Sequence, residues 1–276
     1  MRWILPLSLV VLIVSIILGR AMNEVGLIYF PDANYAVTPA DFDLDAENIQ
    51  LKTDDGIQVS GWWLPAREKL NSTYTILHLH GNAGNISHRL DIAQALNRSG
   101  WNLFLLDYRG YGRSEGKPSE KGFYLDAQAA YDYLVQEKQV LPQQLVLFGE
   151  SIGCSVAIEL ACHHTAWAMI LQTPMTSITD MARHHYPWLL PLRALIKSRF
   201  DVLPKVEQLK IPTLIIHGTE DEIVPFEHGK KVFEYYAGPK YFYEVPGAMH
   251  NDLFYRAGDK IMQRIQQFID EISNNT

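Results

Sequence analysis

The sequence predicts an α/β protein whose central sheet is mostly parallel and carries helices on both faces. From the third predicted strand onward, strand and helix patterns alternate, which is typical of parallel sheets with crossover helices. The chain has 276 residues, of which 47% are hydrophobic, enough for one large domain. Polar residues suited to catalysis follow the carboxyl ends of predicted strands, the edge at which open parallel sheets bind ligands.

Each predicted element rests on a local pattern of apolar residues. Short apolar runs predict an eight-stranded sheet, with strands at Ile49–Thr53, Ile57–Leu64, Tyr74–His80, Trp101–Asp107, Gln144–Gly149, Trp167–Gln172, Thr213–Gly218 and Tyr241–Val245. Helical patterns lie at Ser87–Asn97, Ser119–Gln136, Ser151–His163, Phe226–Tyr236 and Asp259–Ile272.

The most informative motif is Gly-Glu-Ser-Ile-Gly at residues 149–153, directly after the apolar run 145–148. The G-x-S-x-G order predicts a nucleophile elbow, in which a strand turns sharply into a helix and presents a serine hydroxyl. Because the serine backbone is strained and its flanks are crowded, glycine is required on both sides. An ordinary strand-to-helix turn is the alternative, and the small-residue helix predicted from Ser151 favours the elbow.

A nucleophilic serine needs a histidine as base and a carboxylate to orient that histidine. In one known chain order the acid and then the histidine follow the serine. Asp221 and His250 each stand in a loop just beyond a predicted strand, so both fit that order. Glu220, Glu222 and Asp252 are rival carboxylates, and the pattern alone leaves the choice of acid open.

Five motifs occur in the order found in one enzyme family, at His80–Asn85, Asp107–Ser114, Gly149–Gly153, His217–Asp221 and Gly247–Asn251. With them, residues 26–272 resemble the serine α/β-hydrolases, most closely the membrane-anchored Bem46-like branch that includes relatives of protein depalmitoylases. The resemblance implies the α/β-hydrolase fold. It also implies Ser151 as nucleophile, His250 as base and acid, and Asp221 as the orienting carboxylate. Branch members act on different acyl compounds, so no single substrate is implied.

The reaction also needs backbone donors for the oxyanion. The elbow pattern predicts the N–H of Ile152 as one donor. The resemblance implies the N–H of Asn82, in the loop after the third strand, as the other. A phosphate-binding loop is the alternative for Gly81–Asn85, because this stretch also precedes a helix. No G-x-x-x-x-G-K-[ST] pattern is present, which argues against it.

The remaining composition predicts no cofactor, no metal and no nucleic-acid partner. The histidines show no metal spacing such as H-E-x-x-H, and serine acyl transfer requires no organic cofactor. The net charge of −7, from 24 basic and 31 acidic residues, gives no sign of nucleic-acid binding. Cys154 and Cys162 are too far apart on one helix for a disulfide, and both are expected to be small core residues. No pattern indicates an oligomeric state.

The segment 173–210 interrupts the strand–helix rhythm, and a small cap over the active site is expected there. Ser177–Asp180 predicts a helix start with a capping box. The following apolar stretch Tyr186–Leu192 contains two prolines. It either packs on the domain's own core or forms an apolar lip that receives an acyl chain.

The N-terminus predicts a membrane anchor. Residues 3–19 form a stretch of 17 residues without charge, at the short end of what spans a bilayer, between Arg2 and Arg20. A cleaved signal peptide is the alternative, but no A-x-A-like site follows. The expected organisation is an anchor at 1–20, a linker at 21–47 and a hydrolase domain at 48–276. The positive-inside tendency places that domain outside the cytoplasm, although Arg20 weakens the argument.

Together these features predict a serine hydrolase that cleaves carboxylic ester or thioester bonds, with a small-molecule or lipid acyl ester as substrate. Two alternatives remain open at this point. A serine peptidase of the same fold would need to select peptides, and no propeller-length domain precedes the elbow. A membrane-tethered binding protein would have lost the chemistry, whereas all three triad residues are present.

Overall fold

The computed structural model describes residues 25–66, 74–188 and 197–274. Its central sheet consists of β1 (Glu47–Lys52), β2 (Gln58–Leu64), β3 (Thr75–Leu79), β4 (Asn102–Asp107), β5 (Leu145–Glu150), β6 (Ala168–Gln172), β7 (Thr213–Gly218) and β8 (Lys240–Val245). The strand order is β8-β7-β6-β5-β3-β4-β2-β1. β3 to β8 pair in parallel, whereas β2 is antiparallel to β1 and β4. The predicted eight-stranded, mostly parallel sheet is confirmed.

Within the described ranges, the longer helices are α1 (Leu90–Arg98), α2 (Glu120–Asp132), α3 (Ile152–His163), α4 (Ile178–His185), α5 (Phe226–Tyr235) and α6 (Leu253–Ser273). One hydrophobic cluster joins α2, α3 and α5 to the sheet, and a second joins α1 and α6 to the opposite face. The prediction of helices on both faces is therefore confirmed. α6 begins earlier than predicted, because Leu253 is already buried in the second cluster, and it is kinked at Ala257.

The central strands supply both clusters because successive side chains of a strand point to opposite faces. In β3, Leu77 belongs to the first cluster and Ile76 to the second, and in β5 the same holds for Leu147 and Val146. All four side chains are fully buried. This two-sided burial fixes the register of the strands, and with it the positions of the loops at their carboxyl ends.

The segment before the sheet packs on the domain, although the sequence assigns residues 21–47 to a linker. Tyr29 and Leu44 are buried in the two clusters. The short strand Phe30–Pro31 pairs in parallel with Ala83–Gly84, just after β3. Residues 3–19, the expected anchor, lie outside the described residues. Among the described residues, no helix combines the length and apolar character needed to cross a membrane.

The segment 173–210, which was expected to form a cap, contains α4, whose start matches the sequence pattern. The Ser177 side chain accepts a hydrogen bond from the Asp180 N–H at 3.0 Å, as an N-cap residue does. In a complete capping box the Asp180 carboxylate would accept from the backbone N–H of Ser177. Here it accepts from Thr176 Oγ1 at 2.8 Å instead. Residues 186–188 of the apolar stretch are exposed, and residues 189–196 lie outside the described part of the chain.

The two cysteines lie on α3, as expected, but only one of them is a core residue. Cys154 is fully buried, whereas Cys162 is exposed, so the prediction of a core position for Cys162 was wrong. Eight residues of α-helix turn through about 800°, which leaves the two side chains about 80° apart around the helix axis. Cys162 therefore does not share the fully buried position of Cys154.

The glycine- and arginine-rich turn after β4 is held in place by hydrogen bonds between charged side chains. The Arg109 side chain donates to Asp126 Oδ1 at 2.9 Å and to both carboxylate oxygens of Asp55, at 2.8 and 3.0 Å. The Arg109 N–H also donates to Asp126 Oδ2 at 2.8 Å. Asp126 is fully buried and Arg109 nearly so, so their charges need this pairing.

Candidate active site

Ser151 occupies the bend between β5 and α3, with φ 54° and ψ −116°. This backbone conformation is rare for a residue with a side chain, and its cost is of the order of 1–3 kcal/mol. A Cβ atom on Gly149 would lie 2.6 Å from the Cys154 Cα, and one on Gly153 would overlap the Leu79 carbonyl oxygen. The two flanking glycines are therefore required by close packing, and the predicted elbow geometry is present.

Asp221 and His250 are joined by a hydrogen bond. His250 Nδ1 lies 2.8 Å from Asp221 Oδ2, although 29 residues separate them in the sequence. Asp221 follows β7 and His250 follows β8, so the parallel pairing of these strands brings the two loops together. Because a carboxylate accepts at Nδ1, the proton lies on Nδ1 and Nε2 is left as the basic nitrogen.

The loop after β7 holds the Asp221 carboxylate in place. Asp221 Oδ1 accepts hydrogen bonds from the N–H groups of Ile223 and Val224, at 2.9 and 2.7 Å. Burial alone would raise the pKa of Asp221, but hydrogen bonds from His217 and His250 outweigh it and hold that pKa well below its usual range. Asp221 is therefore ionised at neutral pH, as an orienting carboxylate must be.

The rival carboxylates face other partners. Glu222 Oε2 accepts from the backbone N–H of His250 at 3.3 Å, not from the ring. Asp252 accepts from the Met249 N–H and pairs with Arg256. Glu220 is exposed to solvent. Only Asp221 among these four acids hydrogen-bonds the imidazole in the described part of the chain, which agrees with the assignment that the resemblance implies.

The structure joins Asp221 to His250 by a hydrogen bond, but it shows no hydrogen bond between the His250 ring and the Ser151 hydroxyl in the described residues. Such contacts are often long in unliganded enzymes and tighten when the substrate binds. The pairing of Ser151 with His250 Nε2 therefore stays a prediction from the sequence.

Two backbone N–H groups remain available for an oxyanion. Ile152 is the first residue of α3, and the first N–H groups of a helix have no intrahelical acceptor. Residues 81–84, which we call the oxyanion loop, follow β3 and include Asn82. In the described part of the chain the Asn82 N–H donates no hydrogen bond, whereas its carbonyl oxygen is occupied by Tyr111 and Phe30.

The alternative of a phosphate site at Gly81–Asn85 does not fit the contacts. The N–H groups at the following helical turn are already occupied. Ser87 N–H donates to Asn85 Oδ1 at 2.9 Å, and Ile86 N–H donates to Asp107 Oδ1 at 2.9 Å. A phosphate would have to displace these acceptors from the N–H groups. In the described ranges, no group of three or more histidine, cysteine or acidic side chains could hold a metal ion.

Sequence reasoning assigned no role to His217, which lies in β7 and contacts Asp221. Its Nε2 lies 2.9 Å from the Val224 carbonyl oxygen and 3.4 Å from Asp221 Oδ2. A Cβ atom on Gly229 would overlap the His217 ring, so α5 packs directly against this histidine. The position of His217 four residues before Asp221 was the only signal for this role.

Comparisons with known proteins show which family this chain resembles. The profile of the family described as serine aminopeptidase S33 (Hydrolase_4) matches residues 71–203. An uncharacterized protein of Mycobacterium tuberculosis, Rv2307c, is 36% identical over 245 residues, which cover 89% of this chain and 86% of the relative. Protein bem46 of Schizosaccharomyces pombe is 36% identical over 254 residues, which cover 87% of this chain and 81% of bem46.

A solved structure is similar in fold. The esterase Pf2001 of Pyrococcus furiosus superposes with a TM-score of 0.73 at 21% identity, covering 88% of this chain and 98% of the esterase. At this identity the likeness establishes the α/β-hydrolase fold. Together with the similarity to bem46 over most of both chains, it identifies the family. The chain belongs to the α/β-hydrolases, in the Bem46-like branch that its five motifs resemble.

Proposed function

We propose that the protein is a serine hydrolase that cleaves carboxylic ester or thioester bonds through a triad of Ser151, His250 and Asp221. The observation that carries the proposal is the 2.8 Å hydrogen bond from His250 Nδ1 to the buried, ionised Asp221. The strained serine at the elbow adds to it, because this conformation exposes the hydroxyl at the carboxyl edge of the sheet.

In the first step, His250 Nε2 takes the hydroxyl proton of Ser151, and Ser151 Oγ attacks the carbonyl carbon of the substrate. The N–H groups of Ile152 and Asn82 stabilise the negative oxygen of the tetrahedral intermediate. Asp221 stabilises the imidazolium that forms. His250 then gives its proton to the leaving alcohol or thiol, which leaves an acyl-enzyme on Ser151.

In the second step, a water molecule attacks the acyl-enzyme while His250 Nε2 takes one of its protons. The second tetrahedral intermediate uses the same two N–H donors. Its collapse returns the proton to Ser151 Oγ and releases the carboxylic acid. Both steps need only groups of this chain and water.

Exposed apolar side chains around the site support an acyl or lipid-like substrate. Ile223 and Met249 each lie within two residues of a proposed triad member, and Phe30 pairs with the oxyanion loop. These three side chains are 40, 39 and 56% exposed, and Trp188 at the end of the described cap is 65% exposed. Such side chains offer apolar surface to an acyl chain.

Peptide hydrolysis is the second candidate, and one observation favours it. The matching family profile is described as that of a serine aminopeptidase. The same triad chemistry serves esters and amides, so the substrate assay must include both classes. Turnover of aminoacyl p-nitroanilides but not of esters would favour the peptidase.

Association with a membrane forms a further part of the proposal, in which residues 3–19 anchor the chain and the hydrolase domain lies outside the cytoplasm. The support is the uncharged 17-residue stretch and its flanking arginines. We expect the full chain to stay in the membrane pellet after extraction with alkaline carbonate. Release into the supernatant would contradict an anchor. Protease added to intact cells should degrade the domain, whereas protection would reverse the proposed orientation.

Replacement of Ser151 by alanine tests the nucleophile. We expect kcat for p-nitrophenyl esters, measured from C2 to C16, to fall about 10⁶-fold, because no acyl-enzyme can form. Ser155→Ala is the matched control, since Ser155 lies one helical turn later and its buried hydroxyl has no hydrogen-bond partner in the described residues. Wild-type turnover in the Ser151→Ala variant would contradict the assignment of Ser151 as the nucleophile.

Replacement of Asp221 by asparagine tests the orienting acid. An amide at this position favours the wrong imidazole tautomer, and a loss of about 10⁴-fold in kcat is expected, as in other Ser-His-Asp enzymes. The adjacent, exposed Glu220→Gln removes an equal charge and should leave kcat within about twofold. Equal losses in the two variants would show that net charge, not orientation, is responsible.

A further inference from the structure

The backbone carbonyl groups of the oxyanion loop all accept hydrogen bonds from neighbouring residues. Each of its four successive carbonyl oxygens accepts a hydrogen bond from a different donor. The donors to residues 81, 82, 83 and 84 are, in order, His80 Nδ1 at 2.6 Å, Tyr111 Oη at 2.7 Å, Arg89 Nη2 at 3.2 Å and Asp32 N at 3.1 Å. Because the carbonyl groups are occupied, the conformation of the loop is fixed before any substrate binds.

The two bonds nearest Asn82 define the direction of its N–H group. The carbonyl of Gly81 shares a peptide plane with the Asn82 N–H, and His80 holds that carbonyl. The carbonyl of Asn82 belongs to the next peptide plane, and Tyr111 holds it. Fixing both planes fixes φ and ψ of Asn82, since these are the only soft backbone dihedrals at the residue.

Tyr111 is suited to this task by its surroundings. It is fully buried, its ring lies against Tyr108 and Phe123, and its centroid is 5.2 Å from that of His80. Burial raises the pKa of Tyr111, so the hydroxyl keeps its proton and acts as a donor at neutral pH. The backbone N–H of Phe30 reaches the same carbonyl at a longer distance, 3.4 Å.

We propose that Tyr111 is a positioning residue of the oxyanion hole, which orients the Asn82 N–H through the hydrogen bond from its hydroxyl to the Asn82 carbonyl oxygen. Tyr111 does not touch the reacting atoms and acts only through Asn82. The proposal rests on the proposed function, because it assigns a residue to the oxyanion hole of that reaction.

The same ring cluster provides a matched control. Tyr108 is also fully buried and stacks on Phe123 with centroids 4.1 Å apart. Its hydroxyl has no hydrogen-bond partner in the described residues. Tyr111→Phe and Tyr108→Phe each remove one buried hydroxyl from neighbouring rings, but only the first removes a bond to the oxyanion loop. A role in packing alone predicts the same kinetics for both variants.

The test compares the two variants with the wild-type chain in two measurements. The first is turnover of the best p-nitrophenyl ester, with active sites counted from the initial burst so that unfolded protein does not lower kcat. The second is inhibition by an alkyl trifluoromethyl ketone, which adds to Ser151 and places a negative oxygen in the oxyanion hole. Melting temperatures are recorded for each protein.

We expect Tyr111→Phe to lower kcat about 10-fold with little change in KM, less than the 100- to 1000-fold typical for loss of a donor itself. The inhibition constant of the ketone should rise by a similar factor. Tyr108→Phe should leave both constants within about twofold. Wild-type values in Tyr111→Phe, or a rise in KM without weaker ketone binding, would overturn the proposal.

Failure of the proposed function gives a different result. In that case the wild-type chain would either show no ester turnover or show a turnover that Ser151→Ala leaves unchanged. An active wild-type chain whose Tyr111→Phe variant is equally active would overturn only the role of Tyr111.

Discussion

The candidate active site depends on one backbone constraint, the positive φ of Ser151 at the bend between β5 and α3. Its cost is of the order of 1–3 kcal/mol and must be offset by packing around the bend. The surrounding core offers that packing, because β3, β5 and the inner side of α3 are buried almost without exception. The close contact of Gly153 with the Leu79 carbonyl group joins the elbow to the end of β3, where the oxyanion loop begins. Nucleophile and oxyanion donors are thus positioned by the same contact.

Buried charge around the elbow is balanced locally. Burial opposes ionisation of Asp221, and two backbone N–H groups and two histidines compensate for it. Glu150, the residue before the serine, accepts a hydrogen bond from Arg89 Nε at 2.8 Å. Arg89 also donates to the Ala83 carbonyl oxygen of the oxyanion loop, so one guanidinium group binds both the elbow and the loop. Asp221 therefore also holds the loop after β7, and Arg89 also holds the oxyanion loop.

The sequence predicted the sheet and the elbow well, because both follow from local patterns. Apolar runs bounded by turn residues gave all eight strands, and G-x-S-x-G gave the bend at Ser151. The pairing of Asp221 with His250 was implied by the resemblance to the serine α/β-hydrolases, because the order along the chain alone left the acid open. The packing of Tyr29 and the bond from Tyr111 to Asn82 could not be predicted, because both join residues far apart in the sequence without a periodic pattern. Cys162 was misplaced because composition alone does not say which side of a helix meets the sheet.

The proposed reaction depends on activation of Ser151 by the pair of His250 and Asp221. The most direct measurement is labelling of the full chain with a fluorophosphonate, followed by mass spectrometry of its peptides. A fluorophosphonate reacts with an activated serine hydroxyl and not with an ordinary one. We expect one adduct, on the peptide that contains Ser151, and none when His250 is replaced by alanine. No adduct on the wild-type chain, or an adduct on another serine, would contradict it.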